Sequence, residues 1–203
     1  MIDSKAMQKL SYGLFVLTAR QDGKDAGCII NTAQQISASP ITMSITVSKQ
    51  NHTHDVIKAT GEFNISVLSE EATFELFTHF GFQSGHEVDK FKDFVLPRTE
   101  NGLTYVGWAT NAVYSCRVTS MIDCGTHTLF IAEVTEARTL SDSPSATYAY
   151  YFEHIKPQPE PKEESKKGWV CKICGYVYEG EELPPDYICP LCKHGASDFE
   201  KLS

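Results

Sequence analysis

The sequence predicts a mainly β fold: a β-barrel with peripheral helices, followed by a small domain held together by a metal. Three observations predict it. Short β-branched runs bounded by turn residues recur through the first 155 residues, only two segments there carry helix signatures, and the last 36 residues hold four cysteines in two Cys-x-x-Cys pairs. Strands this numerous and closely spaced argue for a barrel rather than a helical or alternating α/β domain.

The strand candidates are Leu14–Thr18, Ile41–Val47, Phe63–Leu68, Ala112–Val118 and Thr128–Val134. The first two are β-branched runs, and the third alternates apolar and polar residues. One helix is expected to start near Thr53, a plausible N-cap, to carry Val56 and Ile57, and to stop at Gly61. A second is expected from Ser69, where acids crowd the first turn, presenting Phe74, Leu76, Phe77 and Phe80. No Gly-x-Gly-x-x-Gly follows a strand and no Walker-type loop is present, so a Rossmann or P-loop nucleotide site is unsupported.

Residues 156–167, Lys-Pro-Gln-Pro-Glu-Pro-Lys-Glu-Glu-Ser-Lys-Lys, contain three prolines and no apolar side chain large enough to pack. They read as a solvated, semi-stiff linker with a reach of roughly 37 Å at the polyproline rise. The expected division is residues 1–155, the linker 156–167, and residues 168–203. The large part carries 11 Lys/Arg against 17 Asp/Glu, a net −6, and the small part 3 against 6, a net −3, within a total of −8. Neither part offers a phosphate-neutralising surface, so nucleic-acid binding is disfavoured. An acidic tail suits a partner with a positive docking face.

The two pairs are Cys171-Lys-Ile-Cys174 and Cys189-Pro-Leu-Cys192. Four thiolates converging tetrahedrally select zinc or iron, and spacing alone leaves both open. A domain this short needs its metal to fold in either case. Cys28, Cys116 and Cys124 remain as an odd set, which fits a reducing compartment better than a disulfide framework. With no apolar leader and no run of membrane-spanning length, the expected location is cytoplasmic, with no membrane partner. Cys28 reads as a buried small side chain, and Cys116 and Cys124 as plain strand residues.

Around the pairs, Trp169 precedes the first cysteine, Gly175-Tyr176 follows the second, Pro184-Pro-Asp forms a turn, and Phe199 stands seven residues after Cys192. Over this whole segment the chain resembles the rubredoxin family, which implies one iron held by Cys171, Cys174, Cys189 and Cys192 and single-electron transfer. The aromatic set Trp169, Tyr176, Tyr178 and Phe199 would make the small core. The 14 residues between Cys174 and Cys189 are fewer than in free-standing rubredoxins, and a zinc ribbon is the plain alternative.

Residues of roughly 5–155 resemble the flavin reductase-like, FMN-binding split-barrel family. The matching stretches are Gly27–Ser37 with Pro40, Ser48–Thr53, Gly61–Leu68, Phe80-Gly with Ser84-Gly and Asp89-Lys-Phe91, and Gly125–Val134. The resemblance implies FMN. It places Asn31, Thr32, Ala33 and Gln35 on a loop facing the flavin ring and ribityl chain, and Ser48, Lys49, Asn51 and Thr53 at its phosphate. Phe80, Ser84 and Lys90 are further cofactor contacts by the same token. The chemistry agrees: a helix N-terminus offers free N–H groups and a positive dipole to a phosphate, and Lys49 adds a full charge. The bland readings are a solvated lysine and ordinary turn chemistry for Asn and Thr. His127 falls where many members carry Gly-Asp-His near the nicotinamide face; here Thr126 replaces the acid, and a satisfied strand histidine is the alternative.

The fusion resembles the arrangement called high-molecular-weight rubredoxin. That implies a homodimeric carrier that takes electrons from NADH or NADPH through FMN to an iron–thiolate centre. Its acceptor would be a flavodiiron-type oxygen or nitric oxide reductase. Two other readings stand beside it. One is a reductase releasing reduced flavin to a monooxygenase. The other is a non-enzymatic flavin- or haem-binding barrel with a structural zinc ribbon.

Overall fold

The computed structural model describes residue 6, residues 9–157 and residues 168–202. Most of the predicted linker, residues 158–167, lies outside the described residues.

Seven strands make one antiparallel sheet: β1 (Phe15–Gln21), β2 (Lys24–Ile30), β3 (Gln34–Ala38), β4 (Ile41–Ser48), β5 (Glu62–Leu68), β6 (Thr110–Asp123) and β7 (His127–Thr139). Their order is β2-β1-β5-β6-β7-β4-β3. The two outermost strands are thus consecutive in the chain, joined by residues 31–33 alone. In a flat sheet six inter-strand steps would separate them by about 29 Å. Four residue steps span at most about 14 Å. The sheet must therefore curl until its edges nearly meet, giving a barrel with a split at β2/β3, where loop 31–33 crosses.

Side-chain alternation then sorts the core. On β1, Phe15, Leu17 and Ala19 point into the barrel with Ile45, Val47, Phe63, Ile65 and Phe130. Leu14 and Val16 point the other way, against Leu76, Phe77 and Phe80 of a helix. Burial on both faces is why Leu14–Leu17 reads as an unbroken apolar run. β4 alternates more visibly, with Met43, Ile45 and Val47 inward.

Two helices pack outside. α1 (His52–Thr60) ends on Gly61, whose positive φ of 74° and N–H to the Ile57 carbonyl close the last turn. Its N-cap is Asn51, so Thr53 lies inside the first turn, where its side chain is buried. α2 (Phe74–Gly81) is capped by Thr73 rather than starting at Ser69. Ser69 bridges Ser145, the Glu70 N–H goes to the Pro144 carbonyl, and the Ala72 N–H closes on the Ser69 carbonyl, so the acid-rich Ser69–Ala72 segment forms a turn of its own. A short helical stretch, Tyr148–Tyr150, continues as a π-turn, Tyr151–Ile155, and lays Tyr151 against Phe77.

All five expected strands are present, and β6 and β7 run longer than expected. β2 and β3 were visible only as motif pieces: β2 carries Ala26 and Gly27, and β3 (Gln-Gln-Ile-Ser-Ala) is an edge strand with no buried face. Cys116 lies in β6 and is buried, whereas Cys124 falls past the strand end, in the exposed β6–β7 turn.

The small domain is a three-stranded sheet, β10-β8-β9: β8 (Gly168–Cys171), β9 (Val177–Tyr178) and β10 (Phe199–Leu202). Among the described residues, no helix is long and apolar enough to cross a membrane.

Candidate metal centre and flavin cleft

The metal centre is built from two matching knuckles. The Cys171 N–H donates to the Tyr176 carbonyl and the Gly175 N–H to the Cys171 carbonyl, both at 2.8 Å. In the second knuckle the Cys189 N–H donates to the His194 carbonyl at 2.8 Å and the Lys193 N–H to the Cys189 carbonyl at 2.9 Å. The fifth residue of each loop needs positive φ: Gly175 sits at 80°, and Lys193 fills the equivalent place at 61°. Glycine shapes the first turn as expected, while in the second a lysine accepts the left-handed conformation.

These knuckles bring Cys171, Cys174, Cys189 and Cys192 together, with all four sulfurs within 4.8 Å of one another. Cys171 Sγ lies 3.5 Å from Cys192 Sγ, and Cys174 Sγ 3.5 Å from Cys189 Sγ. Ligand atoms about 2.3 Å from a tetrahedral ion stand roughly 3.8 Å apart, so the set fits one such ion. Backbone N–H groups face the sulfurs. At Cys189 burial pushes the thiol up, but the Cys192 and Leu191 N–H groups, together with the Cys174 and Cys192 thiols, outweigh it, and the net shift favours thiolate. Burial pushes Cys174 up to about 11 and raises Cys192 too, opposed by the N–H groups of Tyr176 and His194. A cation among the four supplies the charge that lets all of them ionise.

The expected aromatic core is present and includes one residue more. Phe199 is buried beside Cys171 and Cys189, and Trp169, Tyr176, Tyr178 and Tyr187 pack around them. Tyr187 lies tilted against Tyr178, ring centroids 4.6 Å apart, and meets Phe199 edge-on at 5.4 Å. The short loop closes because Gly180 has no Cβ; one there would lie 2.3 Å from the Tyr178 ring.

The flavin cleft is assembled from distant pieces. The loop 31–33 crosses the barrel split, and Thr32 pins it: its hydroxyl donates to the Thr46 carbonyl at 2.7 Å and accepts the Thr46 N–H at 3.1 Å. Asn31, Thr32 and Ala33 are half-buried, while Gln35 lies on β3, exposed, with its amide on the Ser37 carbonyl. Ser48 ends β4 opposite His127, and the Lys49 N–H donates to the Thr126 carbonyl at 3.0 Å. The β6–β7 turn is thereby laced to the segment that starts α1. His127 is exposed, with Nδ1 2.9 Å from the Thr126 hydroxyl.

Lys49 and Asp123 form a pair that sequence reasoning missed. The Lys49 ammonium lies 2.8 Å from both Asp123 oxygens. Hydrogen bonds from Lys49 and then from the Gly125 N–H hold the Asp123 carboxyl below its ordinary value. The partners are 74 residues apart, and only the register of β4, β7 and β6 brings them together.

Other predicted residues shape the cleft from behind. Thr53 and the Cys28 thiol are both buried behind the loop, and burial pushes that thiol up, opposed first by the charge of Lys90. Lys90 is buried, its ammonium donating to the carbonyls of Gly27 at 2.9 Å and Phe80 at 2.7 Å, and desolvation lowers its pKa. Phe80 lies wholly in the α2 core. Ser84 caps the turn before His86, its hydroxyl accepting the His86 N–H at 3.3 Å. Beside this turn opens a cavity of about 330 Å³, lined by Gly27, His52, Gly85, His86, Lys90 and Phe91 among others. Loop 31–33 is bonded to Thr46, two residues before Ser48, so its half-buried hydroxyl and amide groups lie towards the β4–α1 junction that carries Lys49, a donor set of the chemistry a flavin phosphate needs.

Comparison with known proteins accords with both halves. Residues 7–158 match the model of the "Flavin reductase like domain", and residues 169–200 that of the "Rubrerythrin, rubredoxin-like domain". A "High molecular weight rubredoxin" of Moorella thermoacetica is 35% identical, the alignment covering 99% of this chain and 100% of that protein. A "Ferric-chelate reductase (NAD(P)H)" of Archaeoglobus fulgidus is 35% identical over 74% of this chain and 89% of its own. Among solved structures, the styrene monooxygenase flavin reductase of Pseudomonas putida S12 superposes with a TM-score of 0.64 at 24% identity, covering 78% of this chain and 99% of that one. That likeness carries the barrel fold. The chain belongs to the flavin reductase-like family and carries a rubredoxin-like domain at its C-terminal end.

Proposed function

We propose that the chain is an NAD(P)H-linked electron carrier with FMN in the split-barrel cleft of residues 1–155 and one iron in the four-cysteine centre of residues 168–203. A single observation carries the reading: one chain builds both a flavin-type cleft and a thiolate cage whose N–H groups face the sulfurs. When bound, the flavin supplies exchange between a two-electron hydride donor and a one-electron acceptor. The chain's residues do the rest. Thr32 fixes the ring loop, Lys49 and the α1 N-terminus receive the phosphate, and His127 stands exposed at the rim for the nicotinamide.

The outlet is a protein acceptor of flavodiiron type. Ile188 and Leu191, 59% and 52% exposed, give an apolar rim beside Cys189 and Cys192 on a domain of net −3. That combination suits docking against a positively ringed partner. Exposed Ile36, Ile41, Met121 and Ile122 lie on three of the neighbouring strands β6-β7-β4-β3 and support a homodimer.

The test is anaerobic. Full-length protein loaded with iron and FMN is mixed with NADH or NADPH, and the ferric–thiolate absorption is followed. Loss of that absorption at one electron per chain is expected; an iron centre that stays oxidised while the flavin is reduced ends the reading. A second reading, release of reduced flavin to a monooxygenase, is favoured by the Lys49–Asp123 pair, since a lysine already neutralised holds a phosphate less tightly. Flavin retained through turnover opposes it. One zinc and no iron per natively produced chain would point instead to a structural ribbon.

A further inference from the structure

Among the described residues, a second group has metal-binding geometry besides the four cysteines: His52, Asp55 and His86. We propose that these three side chains form a site for a divalent transition-metal ion, with His52 and His86 in the wall of the 330 Å³ cavity and Asp55 beside them. This proposal does not depend on the flavin reading.

His52 opens α1 and Asp55 follows three residues later, so both project from one face of the first turn. His86 arrives from the turn after Ser84. Gly85 lets that turn settle on His52: a Cβ at Gly85 would lie 3.2 Å from the His52 Cβ. The two imidazole rings have centroids 5.0 Å apart, and one ligand atom from each of the three residues lies within 4.8 Å of the others. His86 Nε2 stands 3.9 Å from Asp55 Oδ2, too far for a hydrogen bond. Ligands about 2.1 Å from a shared ion are separated by roughly 3.0–3.4 Å, so small side-chain rotations complete the site.

A supporting shell is already present. Asp55 Oδ1 takes a hydrogen bond of 2.9 Å from His54 Nδ1, and the buried Thr128 hydroxyl donates to His54 Nε2 at 2.9 Å. His54 thereby orients the carboxylate and leaves Oδ2 facing His86, an outer-shell arrangement common around metal ligands. The α1 N-terminus opposes a cation with about half a positive charge, and Asp55 offsets it with a full negative one. Two imidazoles that line an open cavity, with one carboxylate beside them, favour zinc or ferrous iron over magnesium or calcium, and leave coordination positions for water or another ligand.

The alternative use of the same two histidines is to hold a phosphate as imidazolium groups. Equilibrium dialysis separates the two. The iron-loaded full-length chain is dialysed against Zn²⁺, with and without FMN, beside a His86→Ala/Asp55→Asn double variant and a His52→Ala single variant. All three positions are half-buried or exposed, so folding is not at stake. The native chain is expected to hold one more zinc than the double variant, and His52→Ala to weaken that zinc at least about tenfold. Equal zinc in native and double-variant chains overturns the proposal. So does loss of FMN affinity in the variants with zinc binding unchanged.

Discussion

The four-cysteine centre and the flavin cleft are built on opposite plans. Every ligand of the metal centre lies within 22 residues, and each knuckle is closed by two backbone hydrogen bonds of its own. The cleft gathers residues from 31 to 127 and depends on the curl of a seven-stranded sheet. A local site fails with its ligand, and a distributed one fails with its scaffold. Damage to the first should therefore leave the barrel untouched, while damage to buried contacts behind the cleft should loosen the barrel and spare the metal.

The largest expected effect is Cys189→Ser. Cys189 is fully buried and sits in the small core with Phe199. Its loss should reduce iron binding by orders of magnitude and unfold residues 168–202, since a domain of this size depends on its metal. Iron content and tyrosine near-ultraviolet dichroism read this out. The barrel's urea transition should not move; a shift in it would break the comparison.

Lys90→Met tests the converse. It removes the donor to two backbone carbonyls behind the cleft and should cost the barrel about 2–4 kcal/mol, measured by urea unfolding, with iron content unchanged. The native protein should also show a pH dependence that the variant lacks. Desolvation lowers the folded-state pKa of Lys90 below its ordinary 10.5, so the folded chain releases this proton first. Below the folded value the burial cost is present in full. Stability should rise as pH climbs through that value towards 10.5, and Lys90→Met should flatten the rise.

Thr32→Val probes the ring loop alone. Losing its bonds to Thr46 should cost about 1 kcal/mol and weaken flavin binding more than it weakens the fold. An equal loss in both would mean that loop 31–33 is scaffold only.

The smallest effect is expected from Asp123→Asn. Freed from its partner, Lys49 should bind FMN roughly two- to fivefold tighter, a gain typical of an exposed charge pair and one that shrinks with added salt. Flavin fluorescence quenching measures it. Weaker binding in the variant would show that Asp123 helps to hold the cofactor.

The residues divide along the same line. The metal ligands were legible because spacing, turn residues and ligands coincide in one short stretch. So were the strands with buried faces, because burial imposes a period that the chain displays. β3 was not, since an exposed edge strand imposes none. The start of α2 was misplaced because Ser69 does cap a turn, taking the Glu71 N–H on its hydroxyl and the Ala72 N–H on its carbonyl, but that turn stops at Ala72 and the helix starts afresh from Thr73. Lys90 and Phe80 look from the sequence like cofactor contacts; the fold gives one to backbone carbonyls and the other to the core.

By itself the sequence determined the small domain's four-cysteine cluster, the barrel's main strands and the joining of a flavin reductase-like and a rubredoxin-like unit on one chain. Those features follow from contacts between near neighbours and from side-chain periodicity. Only the tertiary structure decided that Asp123 neutralises Lys49, that His54 aims Asp55 at His86, and that the barrel splits at loop 31–33. Lys49 meets Asp123 through strand register, the split follows from sheet curvature, and His86 reaches Asp55 from a loop 31 residues further on; no local stretch of the chain encodes these meetings.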